Sequence, residues 1–417
     1  MPENFHIDMP EAVRNIIHTI EEHGFKAYAV GGCIRDSILG RNPDDWDITT
    51  SAVPSQIKTF FKRTVDTGIA HGTVTIMIDK TGYEVTTYRI DGEYEDGRHP
   101  KSVEFSDRLV DDLCRRDFTI NAMAYNDTDG FVDEFKGLDD LATKIIRCVG
   151  EPELRFTEDA LRMMRAIRFS AQLGFTIDEA TWNAIKKLSP SISKISMERV
   201  HVELGKTLMS AHPDYVAQYS EAGLFAPILP VIDNALKSRY KRKILATLQH
   251  TPDNIYLRYA ALFITSTPDE AAKTLRALKL DNKTVNTVSK LVELSKMDIE
   301  ETEPAVRTAL NKYGRDFLPL WHELMMAVIQ ASEDITGISN PAKVKHLLTL
   351  KRLGTDILAR GDCFTIKDLD ISGNDLIEYG LQGHEIGETL KSLLDIVIEN
   401  PKLNDKATLI AMIEHIK

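Results

Sequence analysis

The pattern of apolar and polar positions changes texture near residue 150. Upstream, short alternating stretches rich in β-branched residues are punctuated by glycine: Tyr28–Val30, Asp47–Thr50, Thr73–Ile78 and Tyr83–Tyr88. Alternation at period two puts every second side chain on one face, so each stretch predicts a strand. Helical spacing between them, over Ile34–Leu39 and Ser55–Phe61, predicts intervening helices. Downstream of Gly150 the alternating signal nearly vanishes. Helical periodicity takes over, punctuated by Pro190, Pro213, Pro227, Pro230, Pro252, Pro268, Pro304, Pro319 and Pro341. The expected fold class is α+β, with a small mixed-sheet head (1–150) followed by a helical neck (151–206), body (207–340) and tail (341–417).

Composition narrows the class. The 417 residues include 51 basic and 63 acidic side chains, a net charge of −12, with 43% apolar and 27% charged residues. That is an ordinary globular balance, which excludes a disordered or fibrous chain. No apolar run reaches about 18 residues, arguing against a membrane span, and no basic-then-apolar N-terminus marks a secretory signal. Cys33, Cys114, Cys148 and Cys363 form no C-x-x-C pair, which disfavours a disulfide framework or a zinc site. The expected compartment is the cytoplasm. An acidic total argues only weakly against nucleic acid, because local charge differs: 237–243 (KSRYKRK) holds five basic residues and no acid. Residues 273–296 and 341–352 each carry +4 (six basic less two acidic, and four basic less none). Such clusters suit a surface that tracks phosphates, or simply the solvated faces of helices.

The head carries the chemistry. In AYAVGGCIRDSILG a strand runs into Gly31-Gly32 and then a helix bearing Arg35. Paired glycines at a helix start let backbone N–H groups approach an anion, and Arg35 could add a fork of donors. The spacing is neither that of a Walker loop nor that of a dinucleotide fingerprint. A few residues on, NPDDWDITT places Asp45 and Asp47 two apart on a strand, projecting to one side. Two close carboxylates repel unless a cation lies between them, and a hard dication such as Mg²⁺, shared with substrate phosphates, suits them. Glu84, in GYEVTTYR, is a candidate third carboxylate from a neighbouring strand. Three carboxylates beside a triphosphate cradle describe metal-dependent nucleotidyl transfer.

Two further segments make the resemblance specific. RRDFTINAMAYN (Arg115–Asn126) followed by RFTEDALRMMRAIRFSAQLGF (Arg155–Phe175) closely resembles the bacterial and eukaryotic class of CCA-adding enzymes, the tRNA nucleotidyltransferases, whose relatives include bacterial poly(A) polymerases. The resemblance covers about residues 25–206 and, through ISGNDLIEYGLQGHEIGETLKSLLD near the C-terminus, extends over most of the chain. It implies that Gly31, Gly32 and Arg35 hold the triphosphate, that Asp45 and Asp47 bind Mg²⁺ and that Glu84 assists them. It implies that Arg116, Asp117 and Asn121 contact ribose and triphosphate; alternatively Asp117 and Asn121 only pin local structure. Asp159 and Arg162 would read the edge of the incoming base, accepting cytosine and then adenine, while Arg165 and Arg168 lie toward the phosphates. The residues by themselves also admit a reading with no ligand, in which Thr157 is an N-cap and Glu158 and Asp159 in the first turn simply favour the helix dipole.

The same resemblance assigns 137–150 to a coupling segment, although a local salt bridge explains Asp139 and Arg147 equally well. Residues 90–110 match a mobile element that is shortened in enzymes adding only CC; Arg89, Asp96, Arg98, His99 and Pro100 are in place. KISMERVHVELGK (Lys194–Lys206) reads as a structural brace. The expected activity is addition of CCA to tRNA from CTP and ATP. Addition of A alone or CC alone, a poly(A) polymerase, and a noncatalytic RNA-binding protein are the alternatives. The sequence also admits a homodimer.

Overall fold

The computed structural model describes residues 6–92 and 103–416, and the chain divides after Pro230 into two units, Met1–Pro230 and Val231–Lys417. In the first unit, β1 (Ala27–Val30), β2 (Ile48–Thr50), β3 (Thr64–Gly68), β4 (Thr73–Ile78) and β5 (Thr81–Thr87) lead the head. A small hairpin of β6 (Arg89–Asp91) and β7 (Val103–Phe105) precedes β8 (Ala124–Asn126) and β9 (Gly130–Val132). Seven of these strands form one sheet in the order β3-β4-β5-β2-β1-β8-β9, in which β2–β5 is the parallel pairing. All four residues of β1 are buried, as a continuous apolar run at the middle of a covered sheet must be. Helix α1 (Glu11–Glu22) buries Val13, Ile16, Ile17 and Ile20, the single stripe that helical spacing generates.

All four sequence-predicted strands and both helices are present within one or two residues of the expected bounds, the helices being α2 (Gly32–Ile38) and α3 (Pro54–Phe60). Asp47 falls just outside β2. Its carbonyl still accepts the Val30 N–H at 3.0 Å, so the β1–β2 ladder continues one residue beyond the strand. Helices α4 (Leu109–Cys114) and α5 (Gly137–Thr143) complete the head. The neck follows as α6 (Pro152–Glu158), α7 (Leu161–Leu173), α8 (Glu179–Leu188) and α9 (Met197–Leu208).

One boundary differs from expectation. Thr157 does not start a helix: it lies inside α6 and its hydroxyl donates to the Glu153 carbonyl at 2.7 Å. Pro152 starts α6 instead, and the chain breaks at Asp159, which is extended (φ −142°, ψ 103°). The Asp159 carboxylate then accepts the Leu161 N–H at 3.0 Å, satisfying a donor at the start of α7. Asp159 therefore sits at a joint between two helices and not on a helical face.

The second unit is helical. Its core includes Trp321, Leu324, Leu350 and Ile357, and a C-terminal cluster gathers Leu376, Leu393, Val397 and Leu409. In the ISGNDL segment Ser372 and Asp375 form a reciprocal capping box, which fixes the start of a short helix, Gly373–Glu378. Among the described residues no helix is long and apolar enough to cross a membrane.

Candidate active site

After β1 the chain turns through Gly31 at φ +85°, a conformation that side chains with a Cβ resist. A Cβ there would also lie 2.9 Å from Nη1 of Arg116, so the turn and this guanidinium are packed against each other. Gly32 opens α2, and Arg35 follows within it, buried. Arg35 donates through Nε and Nη2 to the Asp36 carboxylate at 3.0 and 2.7 Å, and through Nη1 to Oδ1 of Asn121 at 2.6 Å. Asn121 donates through Nδ2 to Oδ1 of Asp117 at 3.0 Å. Oδ2 of Asp117 accepts from Nε and Nη2 of Arg165 at 2.7 and 2.6 Å. A continuous polar chain, Arg35–Asn121–Asp117–Arg165, thus runs from the glycine turn into α7.

Charge in this chain is tightly held. Burial alone would raise the Asp117 carboxyl, but Arg165, Asn121 and Arg162 outweigh it and keep it well below the usual carboxylate range. Asp112, fully buried on α4, is lowered against its own burial by Arg115 and Arg116, which reach it at 2.6 and 3.2 Å. Thr49 of β2 donates to the same carboxylate at 3.0 Å. Asp112 was not read from the sequence, yet its i, i+3 and i, i+4 spacing to Arg115 and Arg116 is the signal that would have found it. Among the described residues, Nε of Arg116 is buried with no hydrogen-bond partner, a donor left over at the site.

Arg116 acts on Asp47, which Asp45 also neighbours, and the parallel register of β2 on β5 (Ile48 beside Val85) puts Asp47 level with Glu84. All three side chains reach solvent at the mouth, although protein crowds Asp47 on most sides. That crowding raises the Asp47 carboxyl, Arg116 pulls it down, and Asp45 pushes it up again, with a net rise. Glu84 is raised by burial and then by Asp47 and Asp45. Two exposed carboxylates two residues apart, one of them crowded by protein, are a donor set that a hard divalent cation fits. Among the described residues no three acidic, histidine or cysteine side chains converge closely enough to hold a metal unaided. Two carboxylates could hold such a cation in part, and Glu84 is affected first by its burial and only then by the charge of Asp47 and Asp45.

The neck supplies the second half. Arg162 donates to Glu158 at 2.6 Å and to the backbone carbonyl of Arg115 at 2.9 Å, tying α7 to the residue that precedes Arg116. Arg168 is buried against Glu203 of α9 at 2.5 Å and Gln172 at 2.7 Å. Phe169 lies under three guanidiniums: Arg168, Arg35 and Arg165 are 3.8, 5.0 and 5.3 Å from its ring centre. The structure thus joins Gly31, Gly32, Arg35, Arg116, Asp117, Asn121 and Arg165 into one network, with Asp45, Asp47 and Glu84 at its mouth. Arg168 is turned into the neck core. The helix read as a brace does more than pack, since α9 delivers Glu203 to Arg168 and Arg199 to Asp159, the latter at 2.6 Å. In the 137–150 segment Arg147 pairs with Asp140 and Asp178 at 3.1 and 2.5 Å, so Asp140, not Asp139, makes the local salt bridge. Of the 90–110 segment and its flank, Asp96, Arg98, His99 and Pro100 lie outside the described residues, while Arg89 donates to the His71 carbonyl.

In the second unit, the three basic clusters converge. Lys243, Lys296 and Lys343, one from each, line a groove of about 560 Å³ floored by Trp321, Met325 and Ile329. Other members of those clusters serve their own helices: Lys237 pairs with Asp233, Lys273 with Asp269 and Arg352 with Asp356.

A mixed sheet with an acidic pair at one strand end, a glycine turn beside it and an arginine-bearing helical neck defines a nucleotidyltransferase. Residues 27–147 match the family model described as the poly A polymerase head domain, and residues 256–413 match tRNA nucleotidyltransferase domain 2. The chain is 34% identical to the CCA-adding enzyme of Pediococcus pentosaceus over 98% of both chains. It is 37% identical to that of Limosilactobacillus fermentum over 96% of this chain and 95% of the relative. The solved Bacillus stearothermophilus CCA-adding enzyme in complex with CTP aligns at TM-score 0.75 and 31% identity, covering 97% of this chain and 96% of the other. The chain belongs to the CCA-adding enzymes, the tRNA nucleotidyltransferase family whose members are generally divalent-metal-dependent.

Proposed function

We propose that the protein extends the 3′ end of tRNA with C, C and A from CTP and ATP, releasing pyrophosphate, with Mg²⁺ held by Asp45 and Asp47. The observation that carries this reading is the Asp45/Asp47 carboxylate pair near Arg116, beside the polar chain that runs from Arg35 through Asn121 and Asp117 to Arg165 of α7. A cation held there would lower the barrier to attack by the terminal ribose hydroxyl and offset charge on the departing phosphates. The chain's own residues position the rest. The Gly31-Gly32 backbone allows close approach of a triphosphate, and Arg35, Arg116 and Arg165 surround it with positive charge. Arg168, paired with Glu203, stacks on Phe169 from behind and does not itself reach the phosphates. Asp117 orients Asn121, whose amide is placed to meet the ribose, where a missing 2′-hydroxyl would leave it unpaired.

Base choice falls to Asp159 and Arg162 at the helix joint. Cytosine and adenine both offer an exocyclic amine, which a carboxylate accepts; uracil and guanine offer a carbonyl there, setting acceptor against acceptor. The groove of Lys243, Lys296 and Lys343 is suited to gripping tRNA backbone, and the protein would work in the cytoplasm. Incubation with tRNA ending before CCA, CTP and ATP, followed by sequencing of the products, tests the reading. Three added residues in the order C, C, A are expected. A long A tail would mark a polymerase, CC alone or A alone a restricted enzyme, and RNA binding without extension a noncatalytic protein.

A further inference from the structure

We propose that Arg199, on α9, is a specificity-positioning residue for nucleotide choice. It acts by fixing the Asp159 carboxylate so that a single acceptor position faces the incoming base. The proposal rests on the reading of Asp159 as a base reader and extends it to a residue of a different helix.

The geometry is a count of lone pairs. An ionised carboxylate has about four acceptor positions, two on each oxygen. Oδ1 of Asp159 accepts from the Leu161 N–H at 3.0 Å and from Nη1 of Arg199 at 3.3 Å, which fills it. Oδ2 accepts from Nη2 of Arg199 at 2.6 Å, leaving one position open. Asp159 sits at a break between two helices, where no helical backbone fixes its side chain. The two-point grip of Arg199 supplies that constraint. Arg199 is itself fixed: it lies in the first turn of α9, and one turn on, Glu203 anchors the same helix to Arg168 of α7 at 2.5 Å. Both members of the pair are largely buried, with side-chain exposures of 16% for Asp159 and 22% for Arg199, so the contact is shielded from water.

A carboxylate held this way can take one N–H and cannot swing its filled oxygen toward a carbonyl or recruit water to bridge one. Cytosine and adenine satisfy the open position with an amine hydrogen, while uracil and guanine cannot. A freed Asp159 could rotate, and a water could sit between it and a base carbonyl, which would relax discrimination. Arg199 therefore acts on which nucleotide is accepted and not on the chemistry at Asp45 and Asp47.

The test compares wild type, Arg199→Met and Arg199→Lys in single-nucleotide addition to tRNA ending before CCA, measuring kcat/KM for CTP and for UTP. For Arg199→Met the CTP-to-UTP ratio is expected to fall by about tenfold or more, the scale of one mispaired polar contact. Arg199→Lys, which keeps charge but loses the two-point grip, is expected to fall between the two. A Met variant that loses rate equally on both nucleotides, at an unchanged ratio, would overturn the proposal and leave Arg199 a packing residue. Should the Met variant fail to fold, the ratio for Arg199→Lys decides on the same criterion. A wild-type protein that adds neither nucleotide would overturn the functional reading itself, and this proposal with it.

Discussion

Carboxylates in the head's mouth and carboxylates at the head–neck seam are the same chemical group put to opposite uses. At the mouth, burial raises Asp47 beyond what Arg116 takes back, with Asp45 adding to it, and burial together with Asp47 and Asp45 raises Glu84. At the seam, Asp112 and Asp117 are more deeply buried, yet Arg115, Arg116 and Arg165 pull them down. Burial does not decide the direction; a guanidinium in direct hydrogen-bond contact does. The seam carboxylates are spent on architecture. Those at the mouth are exposed and, among the described residues, keep lone pairs free of a hydrogen-bonded guanidinium.

The sharpest way to break this contrast is to neutralise each side. Replacing both Asp45 and Asp47 by Ala is expected to lower the rate of nucleotide addition by about three orders of magnitude or more, because several kcal/mol of metal-borne stabilisation are lost at about 1.4 kcal/mol per decade. Stability should not suffer. A carboxyl whose folded pKa is raised binds its proton more tightly in the folded state, so its ionised form opposes folding at neutral pH. Asp47→Asn should therefore be at least as stable as wild type at pH 7 in urea unfolding. That advantage should disappear as pH falls below the unfolded carboxylate value near 4.

Asp117→Asn should behave in the reverse sense. It strands Arg165 in a buried site and is expected to cost about 3–5 kcal/mol. Since the folded pKa of Asp117 is lowered, its contribution is present above the unfolded value near 4 and is lost as pH falls toward the folded one. The variant's deficit should shrink in acid, which urea unfolding at pH 3 and pH 7 would reveal. A smaller effect, about 1–2 kcal/mol, is expected for Phe169→Leu, which removes the ring shared by three arginines. The smallest concerns the second unit. Replacing Lys243 and Lys343 by Ala should weaken tRNA binding a few-fold and flatten the salt dependence by roughly 1.5 in log–log slope, at an unchanged kcat. An unaltered slope would remove the groove from the account.

How much of this was legible beforehand follows from the range of each interaction. Alternation in Thr73–Ile78 and the apolar run in Ala27–Val30 depend on neighbours in sequence, so the central strands could be read directly. The Gly31-Gly32 turn, the Asp45/Asp47 pair and the row from Asp159 to Arg168 were visible because their chemistry is also local. Asp112 and Glu203 were not singled out, since a buried acid looks like a surface acid until its arginine partner is known. The joint at Asp159 escaped for a related reason: Thr157-Glu158-Asp159 is sound helix-start chemistry, and only the preceding Pro152 helix displaces it. Arg199 was legible as one polar position of an amphipathic helix, and its partner lies 40 residues away.

Phe169 has a consequence for how the nucleotide end of the protein withstands acid. Every carboxylate that balances an arginine here can be silenced by a proton, whereas a benzene ring has none to gain. Its quadrupole offers Arg35, Arg165 and Arg168 the same negative face at any acidity. The cationic cradle thus contains one counterweight that does not titrate, and its arginines keep a shared point of attachment even where their acidic partners have let go.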